Sequence, residues 1–259
     1  MIGESGLSVD AIQQRLAYVA LALIAAASWI FLLASERAML AMRGDGPIMA
    51  MMWAMMDPSV VAPYLAASVT MWVVMMVAMM IPAVLPMAMV FRGMHKGRHA
   101  TAETLLFTSG YLNVRRFFAI NRAMLQWLLH SNGWLRGHLL EAGAPLMALI
   151  LVAAGLYQLT PLKAACLTHC RSPIGFFMAH WRDGRTGAIL MGAQHGLYCL
   201  GCCWMLMLLM FVGGAMSVTT MALLSVFILA ERLLPAGPWV SRLPGVVMLS
   251  AGTAIALGY

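Results

Sequence analysis

Six stretches of this chain, each about long enough to cross a lipid bilayer, are built almost entirely from apolar side chains. A helix needs about 20 residues to cross roughly 30 Å of hydrocarbon, and only helices or closed barrels satisfy their backbone hydrogen bonds in lipid. The sequence lacks the alternating pattern of a barrel. We therefore predict an all-α fold, a polytopic bundle of transmembrane helices. The six stretches are 16–34, 63–90, 145–161, 187–212, 216–234 and 239–258.

The composition agrees with a chain that is surrounded by lipid. Only 10% of the residues are charged and 63% are hydrophobic, whereas a soluble domain usually carries about a quarter charged residues. The net charge is +7, but the basic residues fall in short loops between apolar stretches, which is typical of membrane topology. We therefore expect no nucleic-acid partner. Without an internal repeat or linker, residues 1–259 are predicted to form a single integral membrane domain.

A seventh stretch, 105–129, contains three arginines, Arg115, Arg116 and Arg122. An arginine at the centre of a spanning helix costs about 2.5–3.5 kcal/mol. If this stretch spans, ten basic residues lie on one side of the membrane and three on the other; if it lies flat, the 16 basic residues divide evenly. The positive-inside rule therefore favours about seven spans in a bacterial inner membrane, with the amino terminus in the cytoplasm.

This topology gives each loop a side of the membrane. The 92–103 and 163–186 loops are expected inside, and the 35–59 loop outside. The second span then runs inward and the fifth outward, which brings their central residues to a similar depth. Near the inner end of the sixth span, Glu231 and Arg232 are predicted to form an interfacial ion pair or a snorkelling pair.

The fifth predicted span carries the sequence HGLYCLGCCW at 195–204. In a helix with 3.6 residues per turn, His195, Cys199 and Cys202 share one face, and Cys203 lies beside them. Imidazole and thiolate groups suit copper(I), zinc or iron–sulfur centres, and do not suit magnesium or calcium. Cysteine is also an ordinary small buried residue, but the added histidine favours a metal or redox site.

A second group of soft ligands follows the fourth predicted span, on the expected cytoplasmic side. Cys166, His169 and Cys170 could supply two or three ligands, and a short connection to the fifth span allows one shared site. Zinc motifs more often contain pairs of cysteines separated by two residues. In the alternative interpretation, Cys166 packs as an apolar residue and His169 lies among the lipid headgroups.

Methionine is unusually frequent, with 26 copies. Thioethers spaced four residues apart stack on one helix face and select copper(I) over harder ions. Methionine also fills irregular gaps between helices, and the stripe alone favours that role. The two methionine groups suggest a copper route from the outer side to the inner cysteines. The first group is Met49, Met51, Met52, Met55 and Met56; the second is Met71, Met75, Met76, Met79 and Met80. The predicted metal ligands among them are Met75, Met76, Met79 and Met80.

Three segments resemble a bacterial family of predicted metal-binding integral membrane proteins whose function is uncharacterised. They are AGLYQLTPLK at 154–163, CLTHCRSP at 166–173 and HGLYCLGCCW at 195–204, and the stretch 72–82 is similar as well. The resemblance implies a membrane location and a metal site. The chain departs from the family where Arg115 and Arg116 replace the apolar or aromatic residues expected after Gly110-Tyr111-Leu112.

The leading hypothesis is a membrane protein that binds copper(I), with zinc or iron less favoured. It would carry the metal across the membrane or exchange it with a metallochaperone or a membrane or periplasmic partner. The alternatives are a thiol–disulfide or quinone oxidoreductase that uses Cys199 and Cys202, a subunit of a copper-dependent oxidation enzyme with His195 as a ligand, and a helical scaffold with buried cysteines. Thiol exchange has no use for thioethers, so the methionines favour copper.

Overall fold

The computed structural model describes residues 4–41, 46–94, 100–234 and 239–258, and their side chains from residue 15 onward. Within these residues the chain is nearly all helical, which confirms the predicted all-α class. The helices are α1 (Glu4–Ala41), α2 (Pro47–Met56), α3 (Val61–Met94), α4 (Ala100–Ser131), α5 (Ala144–Gln158), α6 (Pro161–Arg171), α7 (Pro173–His180), α8 (Gly184–Cys203), α9 (Val218–Leu233) and α10 (Trp239–Ala256). A short antiparallel hairpin, β1 (Leu135–Arg136) and β2 (Glu141–Ala142), lies between α4 and α5.

Each predicted span contains a helix. By length and apolar composition, three of the described helices could each cross a membrane: α1, α3 and α10. A fourth span is possible if α5 and α6, which meet at a bend of 65°, cross together. α9 has only 16 residues, and α4 carries the three arginines of the doubtful stretch. The count of seven spans therefore stays a prediction.

The prediction of one continuous helix over 187–212 is wrong. α8 ends at Cys203, and the chain continues as a 3₁₀ helix over Leu206–Phe211. The hydroxyl of Tyr157 donates to the Gly201 carbonyl, which in a continuing α-helix would accept from the amide of residue 205. A donor from another helix thus satisfies this carbonyl, and the α-helical hydrogen-bond pattern ends there.

Two predicted loops also contain helices. α2 lies within 35–59, α7 lies within 163–186, and α6 begins two residues before that loop and ends inside it. Each of these helices starts at a proline, where the missing N–H is not needed by the helix. The 92–103 loop includes residues 95–99, which lie outside the described residues.

α4 and α8 pack closely through glycines. A side chain at Gly110 would overlap the carbonyl of Ile189, and one at Gly192 would overlap the carbonyl of Phe107. Small residues let two helix backbones approach each other in this way. The close contact brings the inner face of α4 directly against the cysteine-bearing face of α8.

The predicted Glu231–Arg232 ion pair is wrong. Glu231 instead binds Lys163, whose Nζ lies 2.6 and 2.9 Å from the two carboxylate oxygens, and Gln158 donates to the same group at 3.2 Å. Both charged side chains are buried. Adjacent residues on a helix point about 100° apart, so Arg232 faces a different neighbour.

Candidate metal centre

Four of the five cysteines meet where the last turn of α8 packs against α6. Cys199, Cys202 and Cys203 are at most 3% exposed. The thiols of Cys202 and Cys203 donate to the Cys199 carbonyl at 3.1 and 3.0 Å. The Cys170 sulfur of α6 lies 3.9 Å from the Cys202 sulfur. We call these four residues the thiol cluster; all five cysteines are free, without a disulfide.

Two buried arginines, on two different helices, contact the thiol cluster. Arg115 of α4 donates to the Cys199 sulfur and to Cys203 at 3.4 Å. Arg232 of α9 donates to the same Cys199 sulfur and to Cys202 at 3.5 Å. Arg115 is 1% exposed and Arg232 is 8% exposed. The sulfur of Cys199 is therefore shared by two guanidinium groups.

The arginines identify where negative charge must lie. A guanidinium group stays protonated in proteins, and a buried cation needs a nearby anion. Among the residues that the structure describes, neither arginine forms an ion pair with a carboxylate. The thiols are the groups in contact with them that can become anionic, so the arrangement suits thiolates, with Cys199 at the centre.

Tyr111 links the thiol cluster to the predicted histidine ligand. Its hydroxyl lies 3.0 Å from the Cys199 sulfur, and its ring stacks on His195 with centroids 5.7 Å apart. His195 is 1% exposed, and neither ring nitrogen has a hydrogen-bond partner. Buried polar atoms are nearly always paired. A ligand that bonds to the imidazole would satisfy this requirement, so the donor set fits a soft metal ion.

The described residues contain no group of three or more histidine, cysteine and carboxylate side chains arranged to hold a metal ion. The guanidinium groups of Arg115 and Arg232 lie against the Cys199 sulfur, where an ion would bind. A metal ion at Cys199 therefore requires the arginine side chains to withdraw from the sulfur.

Of the second predicted group, only Cys170 joins the thiol cluster. Cys166 lies against Gly201, where a Cβ atom would come within 2.7 Å of its sulfur. His169 stacks on Tyr198 with centroids 4.4 Å apart, and its Nδ1 lies 2.9 Å from the Ala165 carbonyl. The structure therefore separates Cys166 and His169 from the other predicted ligands.

The four predicted methionine ligands, Met75, Met76, Met79 and Met80, are all buried in the bundle. Met76 and Arg115 line one cavity of about 230 Å³. Met87, Cys170 and Arg232 line another of about 70 Å³. Met76 and Met87 lie about 16 Å apart along α3, so two cavities at different levels border the arginines and thiols of the cluster. Met75, Met79 and Met80 pack in the hydrophobic core.

The sequence interpretation missed Tyr111 and Arg232 as site residues and gave Arg115 no role. A charge inside a predicted span is itself a signal of function. Tyr111 lies one helical turn before Arg115, on the same face of α4. The sequence signal for Arg232 was weaker, because the adjacent Glu231 could be interpreted as its ion-pair partner.

Comparison with known families adds one finding. A family model described as "PpoB2: Copper chaperone" matches residues 69–255, nearly three quarters of the chain. No curated protein and no solved structure matches. The matched region includes the thiol cluster, both arginines and His195, and it begins just before the methionine stripe of α3.

Proposed function

The chain belongs to the PpoB2 copper chaperone family, and from this premise we propose that it binds Cu(I) within a membrane helix bundle and delivers it to a partner protein. The observation that carries this proposal is the buried thiol cluster with two arginines at Cys199. Thiolates are the protein ligands that best suit Cu(I).

Charge balance supports a thiolate site. Three thiolates and one Cu(I) carry two net negative charges, which two guanidinium groups neutralise. We assign the thiolates to Cys170, Cys199 and Cys202, because Arg232 contacts two of them and the third lies 3.9 Å from Cys202. His195 is a further ligand, since its two nitrogens are buried without a partner.

The arginines also offer a physical basis for release. A chaperone must hold its ion and then give it up, and thiolates in a dry interior would otherwise be costly without the metal. Arg115 and Arg232 can offset two of the three thiolate charges as the ion leaves. The barrier to transferring Cu(I) to an acceptor is thereby lowered.

We further propose seven spans in the inner membrane, with the amino terminus in the cytoplasm. The ten-to-three distribution of basic residues supports this topology. The ion would enter beside Met76 and leave beside Cys170, because these residues line the two cavities that border the cluster. Chemical labelling of single cysteines placed in 163–186 tests the topology; labelling from the outside contradicts it.

The experiment for copper binding is a competition titration of the full-length protein in detergent against a Cu(I)-specific chelator, with metal analysis. Wild type is expected to retain Cu(I), and Cys199→Ser/Cys202→Ser to lose its tight binding. Cys166→Ser is the matched control, since Cys166 lies at Gly201 outside the thiol cluster. Equal retention by wild type and the double variant would show that the thiols do not hold the metal.

One observation supports a second function. The sulfurs of Cys170 and Cys202 lie 3.9 Å apart, and a modest movement would bring them to disulfide distance. Forming that bond would release two electrons and two protons to a quinone or a disulfide acceptor. Quinone reduction that Cys170→Ser abolishes, in a protein that binds no Cu(I), would favour the oxidoreductase over the copper chaperone.

A further inference from the structure

A second group of soft donors surrounds a small cavity. These donors are distant in sequence from the thiol cluster. The cavity has a volume of about 10 Å³. Of the six described residues that line it, five carry a thioether or an imidazole, and none carries a formal charge apart from a protonatable histidine. The lining residues are Met39, Met49, Met52, Trp53, Met56 and His138.

The methionines converge from two helices. Met49, Met52 and Met56 follow each other at spacings of three and four residues, so they share one face of α2. Met39 comes from the last turns of α1. Met39, Met49 and Met52 are at most 5% exposed. Their sulfur atoms are therefore held within the protein, at a point where α1 and α2 pack together.

The histidine is presented by the hairpin between α4 and α5. Leu135 and Leu140 anchor the hairpin in the core, at 2% and 0% exposure. The carbonyl of Leu139, next to His138, accepts a hydrogen bond from the amide of Met216 at 3.2 Å. The backbone is thus held on both sides of His138, whose side chain is exposed and lines the cavity beside the methionines of α2.

We propose that Met39, Met49, Met52, Met56 and His138 form a second Cu(I) site on the outer side of the bundle. The cavity is about the size of one water molecule, so it suits a single ion and excludes larger ligands. Uncharged thioether and imidazole donors favour Cu(I) over magnesium or calcium. Packing alone would explain the methionines, but it does not explain an imidazole that lines the same cavity.

The location of this site agrees with a receiving role. The four methionine ligands precede the start of the matched family region at 69, whereas His138 lies within that region. Under the proposed topology, they face the compartment from which copper arrives. Thioethers do not form disulfides, and so they remain ligands in an oxidising environment. The receiving role rests on the proposed function, whereas binding at this cavity does not.

The test uses the full-length protein and Cu(I) alone. Wild type is expected to bind a second, weaker equivalent, which Cys199→Ser/Cys202→Ser retains. In that background, Met49→Leu/Met52→Leu should weaken the remaining affinity at least about tenfold. X-ray absorption at the copper edge should show sulfur and nitrogen neighbours, with the nitrogen lost in His138→Gln. The matched control is Met210→Leu/Met221→Leu, two buried methionines that do not line the cavity.

Two results would overturn the site. One is equal affinity in the Met49→Leu/Met52→Leu protein and its methionine control. The other is a copper signal that His138→Gln leaves unchanged. If the cysteine variant does not fold, the same methionine changes in the wild-type background should remove the weaker equivalent and leave the tight one. Loss of tight binding in the cysteine variant with retention of the weaker site would separate the two proposals.

Discussion

The thiol cluster and the methionine–histidine cavity are both rich in soft donors, but they differ in charge. Two buried arginines contact the cysteines, whereas no arginine or lysine among the described residues lines the methionine cavity. Thioethers are neutral ligands and need no counter-charge, while thiolates in a dry interior do. The arginines therefore mark the cysteines as the group that works as anions.

The same difference in charge predicts the relative Cu(I) affinities of the two sites. A neutral donor set attracts a cation less strongly than thiolates do, so the outer cavity should exchange its ion readily. The thiol cluster should hold the ion more tightly, and the movement of Arg115 and Arg232 should ease its transfer to an acceptor. Transfer would then run from the weaker site to the tighter one.

The largest effect is expected at Cys199, whose sulfur both arginines contact. Cys199→Ser should lower the affinity of the tight Cu(I) site by more than about 100-fold, because even ligand-supporting residues contribute 10–100-fold. Chelator competition measures this affinity, and Cys166→Ser serves as the control. If both variants lose the same affinity, the loss does not depend on the thiol cluster. Thiolates would then not distinguish this cluster from the methionine cavity.

The arginines should give the next largest effect. Arg115→Gln and Arg232→Gln should each weaken the tight site about 10–100-fold, because the cluster loses part of its charge balance. Reaction of the thiols with an alkylating reagent should slow as the thiolate population falls. Arg116→Gln is the neighbouring control, since Arg116 is exposed. An Arg116 effect equal to that of Arg115 would refute a specific role for the buried guanidinium.

A smaller effect is expected from Lys163, which forms a buried ion pair with Glu231. Lys163→Met should free the carboxylate to attract Arg232 and so reduce Cu(I) affinity about tenfold. Adding Glu231→Gln should restore most of the affinity, because the competing charge is gone. The double-mutant cycle isolates this coupling; additive losses would mean that the ion pair acts only on stability.

The methionine stripe should give the smallest effect on affinity. Changing Met75, Met76, Met79 and Met80 together to leucine keeps volume and apolarity, at under about 1.5 kcal/mol per substitution. The thiol cluster should keep its affinity, while the rate of copper transfer to an acceptor should fall. Stopped-flow transfer measurements with Met210→Leu/Met221→Leu as control test this; an unchanged rate would make the stripe a packing feature.

Much of the fold could be predicted from the sequence, because apolar length and helical period are local properties. Every predicted span contains a helix, and His195, Cys199 and Cys202 were correctly assigned to one helix of the bundle. The end of α8 at Cys203 could not be predicted, since it involves a hydrogen bond from Tyr157, 44 residues away.

The rest of the site depends on contacts between distant segments. Cys166 and Cys170 are one helical turn apart on α6, but α6 crosses α8 so that Cys166 meets Gly201 while Cys170 meets Cys202. Arg115 and Arg232 reach Cys199 across 84 and 33 residues of sequence. Residue spacing along one helix carries no information about such contacts.

X-ray absorption at the copper edge, on the full-length protein loaded with one equivalent of Cu(I), tests the central claim most directly. We expect copper surrounded mainly by sulfur, with that sulfur shell lost or replaced in Cys199→Ser/Cys202→Ser and preserved in Cys166→Ser. A shell of oxygen and nitrogen in wild type, or a sulfur shell that the double variant leaves unchanged, would contradict binding by the thiol cluster.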